Sequence, residues 1–180
     1  MADMTPERIA EDLAEAWNRR DLDACLALLT DDVVWDDPAM PEPARGKEAV
    51  RQFSHAVLRA FPDFRYEIRR PICTAADGTR CAVAWRITGT HAARLTPPGY
   101  AATGRRADFE GVDLIDVRDG RACRIVTLFN VLVPAGQLLA VELPPPPGSW
   151  RERGVVWAQR ARAAWVRTFK RPHGPEKPAT

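Results

Sequence analysis

The stretch ADFEGVDLIDVRDGRACRIVTLFNVL, Ala107–Leu132, decides the class of the fold. It reads as two strands, 107–120 and 122–132, closed on each other by Asp119-Gly120, a dipeptide suited to a tight hairpin turn. Alternation in the first strand puts Phe109, Gly111, Asp113, Ile115 and Val117 on one face, so a carboxylate shares a side with apolar residues. Upstream the same period of two recurs. FRYEIRR (64–70) aligns Phe64, Tyr66 and Ile68, Asp77-Gly78 is a second hairpin signal, and CAVAWRITGTH (81–91) follows. There Trp85, Ile87 and His91 share one face, and Arg86, Thr88 and Thr90 the other.

Before the strands the period is helical. Thr5 caps a helix with Pro6 at its first position, and Ile9, Leu13 and Trp17 recur along one face. Asp21 caps a second helix carrying Leu22, Cys25, Leu26 and Leu29. DDVVWDDP (31–38) breaks the pattern as a short strand stopped by Pro38, and Gly46 leads into a third helix with Val50, Phe53, Val57 and Phe61 inward, ended by Pro62. Helices followed by mostly antiparallel strands predict an α+β domain, not a parallel α/β one.

After about residue 141 the composition changes. ELPPPPGS (142–149) is a linker, since consecutive prolines forbid helix and sheet pairing. WRERGVVWAQRARAAWVRTFK (150–170) has a helical pattern, with Trp150, Trp157, Ala161, Trp165 and Phe169 along one side and Arg153, Arg160, Arg167 and Lys170 opposite. Residues 171–180 are predicted to be disordered. The domain organisation is therefore a body at 5–141, a linker at 142–149, a basic helix at 150–170 and a tail.

Charge follows this division. Residues 148–180 carry eight Lys/Arg against two Asp/Glu, whereas 1–147 carry 18 against 22, so the net +2 of the chain belongs to its tail. An acidic body argues against nucleic acid as a partner. No stretch approaches the ~20 apolar residues of a membrane span. The N-terminus MADMTPERIAED lacks a signal-peptide pattern, which makes a cytoplasmic location the expectation. Cys25, Cys73, Cys81 and Cys123 are widely spaced, which predicts reduced, buried thiols and no metal site. The terminal helix has three readings: packing on the body or a partner subunit, contact with nucleic acid or another protein, and, least favoured, an anionic membrane surface.

Several pieces in order, WDDPAM (35–40), AFPDFRYEI (60–68), WRITGTHAARL (85–95), GRRADFEGVDLIDVRDGR (104–121) and FNVLVPAGQL (129–138), resemble the SnoaL-like polyketide cyclase branch of the nuclear-transport-factor-2-like superfamily. The resemblance runs through about residues 5 to 140. It implies a cone: a curved antiparallel sheet wrapped around the N-terminal helices, with a pocket at the open end and, in many members, a homodimer through the outer face of the sheet. It implies a cofactor-free intramolecular aldol reaction on a small hydrophobic carbonyl compound. In the family the base is an Asp projecting from the last long strand, often in a Phe-Asp pair. Here the pair is Phe129-Asn130 and the earlier polar position is Thr127, neither of which takes a proton near neutral pH.

Other groups are therefore candidates for the acid and base. Asp113 is one, with an outer-face salt bridge as its alternative reading. Asp37 matches a family position near the pocket mouth and reads equally as a turn residue before Pro38. His91, in the family's Gly-Thr-His piece, is an acid or base near pH 7, or a local anchor for the loop after it. For substrate binding the candidates are Asn130, Arg86, Trp35, Trp85, Thr127 and Tyr100. Asn130 reads as an orienting amide or as a buried structural one, Arg86 as an inward enolate partner or an outward interface residue. Trp35 and Trp85 read as core or pocket wall, and Tyr100, in the loop 95–106, as a cover or a surface ring. Three functions stay open: a cyclase- or isomerase-like enzyme, a small-ligand-binding module without turnover, and a dimeric scaffold presenting the terminal helix.

Overall fold

A computed structural model describes residues 4–96, 99–139 and 145–169, the last four by backbone only. The chain divides into two compact units, Met1–Val141 and Glu142–Thr180. In the first, helices α1 (Pro6–Arg19) and α2 (Leu22–Ala27) precede strand β1 (Leu29–Asp36) and the short β2 (Ala44–Arg45). Helix α3 (Gly46–Ala60) then leads to β3 (Arg65–Thr74), β4 (Arg80–Thr90), β5 (Arg106–Arg118), β6 (Arg121–Phe129) and helix α4 (Leu132–Leu139). The strands form one curved, unclosed sheet in the order β2-β1-β6-β5-β4-β3. The α+β class and the fold follow the expectation.

Local chemistry explains the boundaries. Thr5 Oγ1 accepts from Arg8 N at 3.3 Å, and Asp21 Oδ1 from Ala24 N at 2.9 Å, the two caps expected from sequence. At the β5–β6 turn Asp119 and Gly120 both have positive φ, 52° and 69°, as a mirror-image hairpin turn demands. The pairing register shifts within β3–β4, β5–β6 and β1–β6, and each such irregularity bends its strand. The first of these flanks Pro71, which has no N–H to give and lies on the edge strand β3.

Three features depart from the sequence reading. β1 pairs with β6 in parallel, through Trp35↔Ile125 and Asp36↔Val126, so the sheet is not wholly antiparallel. The last strand ends at Phe129 and not at Leu132, and α4 follows within two residues. Cys73 is exposed and Cys123 half-buried, so only Cys25 and Cys81 are the buried thiols expected.

The core joins Ile9, Leu13 and Trp17 of α1 to Leu29, Val33, Val50, Val83, Ile115 and Ile125. On α3, Val50 and Leu58 are fully packed, but Phe53, Ala56 and Val57 are only half-buried because they face a void. Asn18 ties α1 to β3: its Nδ2 donates to Tyr66 O at 2.8 Å, and its Oδ1 accepts from Tyr66 N at 2.9 Å. With β6 already ended, the N–H and C=O of Asp108 are taken by the Gln137 side chain, each at 2.8 Å, which holds α4 against β5.

The second unit holds helix α5 (Trp150–Phe169). Ser149 Oγ accepts from Glu152 N at 3.1 Å, and Glu152 Oε2 accepts from Gly148 N at 2.6 Å, a reciprocal start in the manner of a capping box. Trp150 and Trp157 are largely exposed, while the side chains of Arg167 and Phe169, Lys170, residues 142–144 of the linker and the tail lie outside the described residues.

Asn18→Ala removes two hydrogen bonds that no other side chain replaces. It is expected to lower unfolding stability by about 1–3 kcal/mol, read by urea denaturation; a change within 0.3 kcal/mol would show that α1 does not depend on this tie.

Candidate functional site

The void bounded by α1, α3, α4 and the inner face of the sheet is a cavity of about 880 Å³. That is the size of a site for a multi-ring organic ligand. Its walls are mostly apolar: Leu13, Trp17, Phe53, Val57, Phe61, Phe109 and Phe129 among others. Among the described residues, no Lys or Arg lines it.

Strand alternation delivers one carboxylate into this space. Asp113 on β5 lies opposite Val83 of β4 and Thr127 of β6, and is only 6% exposed. Its Oδ2 accepts from the Tyr66 hydroxyl at 2.9 Å, while its Oδ1 has no partner. Burial pushes its pKa up, and the nearby polar groups of Thr127, Tyr66 and Trp85 oppose that rise only in part. The same burial, with the neighbouring Asp113 charge, holds the Tyr66 phenol well above its usual range. Trp35 Nε1 donates to Thr127 Oγ1 at 3.0 Å, which leaves the threonine proton free to face Asp113.

Asp37 lines the same cavity in the turn after β1. Its Oδ1 accepts from Ala39 N at 2.7 Å, the turn contact expected before Pro38's successor. Burial first, and then the charges of Asp113 and Asp36, push its pKa to about 6. His91 is 1% exposed and stacks on Phe61 with ring centroids 5.3 Å apart. Its Nδ1 lies 3.4 Å from Thr103 Oγ1, its Nε2 has no partner, and burial lowers its pKa, which favours the neutral ring.

The structure brings Asp113, Asp37, His91, Trp35, Trp85, Thr127 and Tyr100 to one cavity, Tyr100 at its half-exposed mouth. It leaves out two residues. Asn130 is exposed and off the cavity wall; its Oδ1 accepts from Leu132 N at 3.1 Å, turning the chain from β6 into α4. The reading of Asn130 as a ligand-orienting amide is thereby corrected, because the strand stops one residue before it. Arg86 points to the outer face, where its guanidinium forms a forked pair with Asp108 at 2.7 and 2.5 Å. Its even position on β4, opposite in phase to Trp85, dictates that direction. Tyr66 was absent from the candidates, although its place in the Phe64/Tyr66/Ile68 alternation already put it on an inner face. No three His, Cys, Asp or Glu side chains gather as a metal site among the described residues.

Residues 10–125 match the model of the SnoaL-like domain, and the chain belongs to that family. Among solved structures it resembles a proposed polyketide cyclase of Xanthomonas campestris, 27% identical over 72% of this chain and 93% of that one, with a TM-score of 0.61. It also resembles IdmH, a proposed polyketide cyclase of Streptomyces antibioticus, 26% identical over 76% and 99% of the two chains, TM-score 0.60. A third, a proposed polyketide cyclase of Pseudomonas putida, is 24% identical over 75% and 98%, TM-score 0.66, and shares the fold. No curated protein matches the chain significantly.

The raised pKa of Asp37 fixes the sign of a stability effect. The folded state holds the proton to about pH 6 and the unfolded chain releases it near 3.8, so stability falls as pH rises between those values and stays lower above them. Asp37→Asn keeps the turn acceptor without the charge. It should stabilise the protein at pH 8 by up to about 3 kcal/mol, with the gain gone at pH 4; melting curves giving the same shift at both pH values would refute the assignment.

Proposed function

We propose that the protein is a cofactor-free acid/base catalyst of the cyclase or isomerase type, acting on a bulky, largely apolar carbonyl compound. The observation that carries this reading is a buried carboxylate with one oxygen lacking a hydrogen-bond partner, set among the walls of an apolar cavity that no Lys or Arg lines among the described residues. Desolvation makes such a group a stronger base than a solvated Asp, and brings its pKa toward the working range of a proton-transfer catalyst.

The steps balance without an oxidant or a second substrate. Asp113 takes a proton from the carbon beside a carbonyl; the C–H electron pair becomes the enolate, whose charge is on oxygen. The enolate carbon attacks a second carbonyl of the same molecule, forming the C–C bond and an alkoxide. The carboxylic acid of Asp113 then returns its proton to that alkoxide. Tyr66 orients the carboxylate through Oδ2 and leaves Oδ1 without a hydrogen-bond partner. Asp37 lines the same cavity, and the charge of Asp113 helps to raise its pKa. The aromatic walls hold the reacting ends close and exclude water, which is where most of the gain from confinement arises.

Deuterium incorporation into 2-tetralone in heavy water, followed by proton NMR, tests the first step without the true substrate. The wild type should accelerate exchange, with a rate that rises with pH through the elevated pKa of Asp113 and then levels. Asp113→Asn should lower the enzymatic rate by about 10²–10⁴-fold. Binding of the ketone with no acceleration at any pH would make the protein a carrier and end the catalytic reading.

A further inference from the structure

The charges that line the cavity are of one sign. Asp37, Glu42 and Asp113 border it, and among the described residues no Lys or Arg does. The arginines of the sheet pair elsewhere, Arg69, Arg80 and Arg86 with Glu110, Asp116 and Asp108. An anion entering this space loses its hydration and meets no opposite charge in return. A cation finds carboxylates.

Of the three acids, Asp37 combines partial burial with an oxygen that a ligand can reach. Its Oδ1 accepts from Ala39 N at 2.7 Å, which fixes the direction of the carboxylate. Its Oδ2 has no hydrogen-bond or ion-pair partner among the described residues. That oxygen keeps accessible surface, whereas Oδ1 of Asp113 is closed off. Glu42 is exposed at the rim, where water screens its charge.

The walls favour the same sign of ligand. Trp35, two residues before Asp37, meets Trp17 and Phe53 with ring centroids 6.0 and 6.3 Å apart, and all three rings line the cavity. Aromatic faces attract a cation and offer an anion nothing. Burial, and then the negative charges of Asp113 and Asp36, act against the ionised form of Asp37, and no cation offsets them. A positive ligand group relieves that repulsion, which a neutral group leaves in place.

We propose that the cavity takes a hydrophobic ligand bearing a basic nitrogen, with its ammonium held by Asp37 Oδ2 between the aromatic walls. The nitrogen site stands apart from the catalytic reading above. Its extension to turnover rests on that reading: the substrate is then an amino ketone, and ketones that carry a carboxylate or phosphate are excluded.

Calorimetric titration of the full-length protein at pH 8 with three naphthalenes of similar shape reads the preference directly. These are 2-(aminomethyl)naphthalene, 2-(hydroxymethyl)naphthalene and 2-naphthoate, which are cationic, neutral and anionic. The wild type should bind the amine about tenfold more tightly than the alcohol, a difference of ~1.4 kcal/mol, and the carboxylate about tenfold more weakly than the alcohol. Asp37→Asn keeps the Oδ1 turn acceptor; it should remove most of the amine preference and leave alcohol affinity within about twofold. Glu42→Gln should leave the preference in place. Should Asp37→Asn fail to fold, the carboxyl carbon resonance of Asp37 in the wild type serves instead, moving with the amine and not with the alcohol. Equal affinity for amine and alcohol, tightest binding of the carboxylate, no binding of any, an Asp37 resonance that the amine does not move, or an equal loss in Glu42→Gln and Asp37→Asn would overturn the site. An amine preference in a protein that accelerates no ketone exchange would remove the catalytic reading and leave this one standing; exchange into 2-tetralone without an amine preference would do the reverse.

Discussion

The structure depends on keeping the Asp113 carboxylate in a greasy enclosure with no counter-ion among the described residues. Removing an ionised Asp from water costs several kcal/mol even after the protein relaxes. Nature commonly meets that cost with an arginine. Here the sheet sorts its charges by alternation instead: Arg86, Arg80 and Arg69 point outward to Asp108, Asp116 and Glu110, while Asp113, one phase away, points in. An inward cation would fix Asp113 as a permanent anion and weaken it as a base. A phenol, a threonine and an indole offer dipoles, which orient the group while leaving its proton exchangeable.

The aromatic frame around this group has a mechanical role as well as a solvent-excluding one. Trp17, Trp35, Phe53 and Phe64 form one contiguous set against α1 and α3, and Tyr66, Trp85, Phe109 and Phe129 form another along the sheet. Large rings with two torsions lose little entropy on ordering and cannot collapse into the void as a cluster of leucines would. The half-buried inner positions of α3 measure what is given up: Phe53 and Val57 could pack fully only if the cavity closed.

Much of this was legible in the sequence where the signal is local. The Thr5-Pro6 start, the Asp21 cap, the Asp119-Gly120 turn and the phase that puts Asp113 beside Phe109 and Ile115 all depend on neighbours a few residues away. What was not legible depends on partners far along the chain. The phenol of Tyr66 meets a carboxylate 47 residues away, and nothing in FRYEIRR announces it. Asn130 lies off the cavity because the strand stops at Phe129 and does not run to Leu132, so the likeness of Phe129-Asn130 to the family's Phe-Asp pair does not carry its position. The strand ends where Phe129 pairs with Gly111, and the Gln137 side chain then takes the backbone groups that a longer β6 would have bonded. The Ser149–Glu152 start of α5 was visible as S-x-x-E and went unread beside the prolines.

Asp37 and Asp113 are better understood as a pair than as separate residues. Asp37 is raised partly by the charge of Asp113, so whichever ionises first makes the second ionisation harder. Their environments differ: Asp37 has a backbone N–H and a place near the opening, Asp113 is enclosed. Each charge therefore opposes ionisation of the other acid. A neutral ligand entering the cavity displaces solvent from both and strengthens that opposition, since the field between them is no longer screened by water. The basicity of Asp113 is thus set by cavity occupancy as much as by its own hydrogen bonds, and it is greatest once a ligand has filled the cavity.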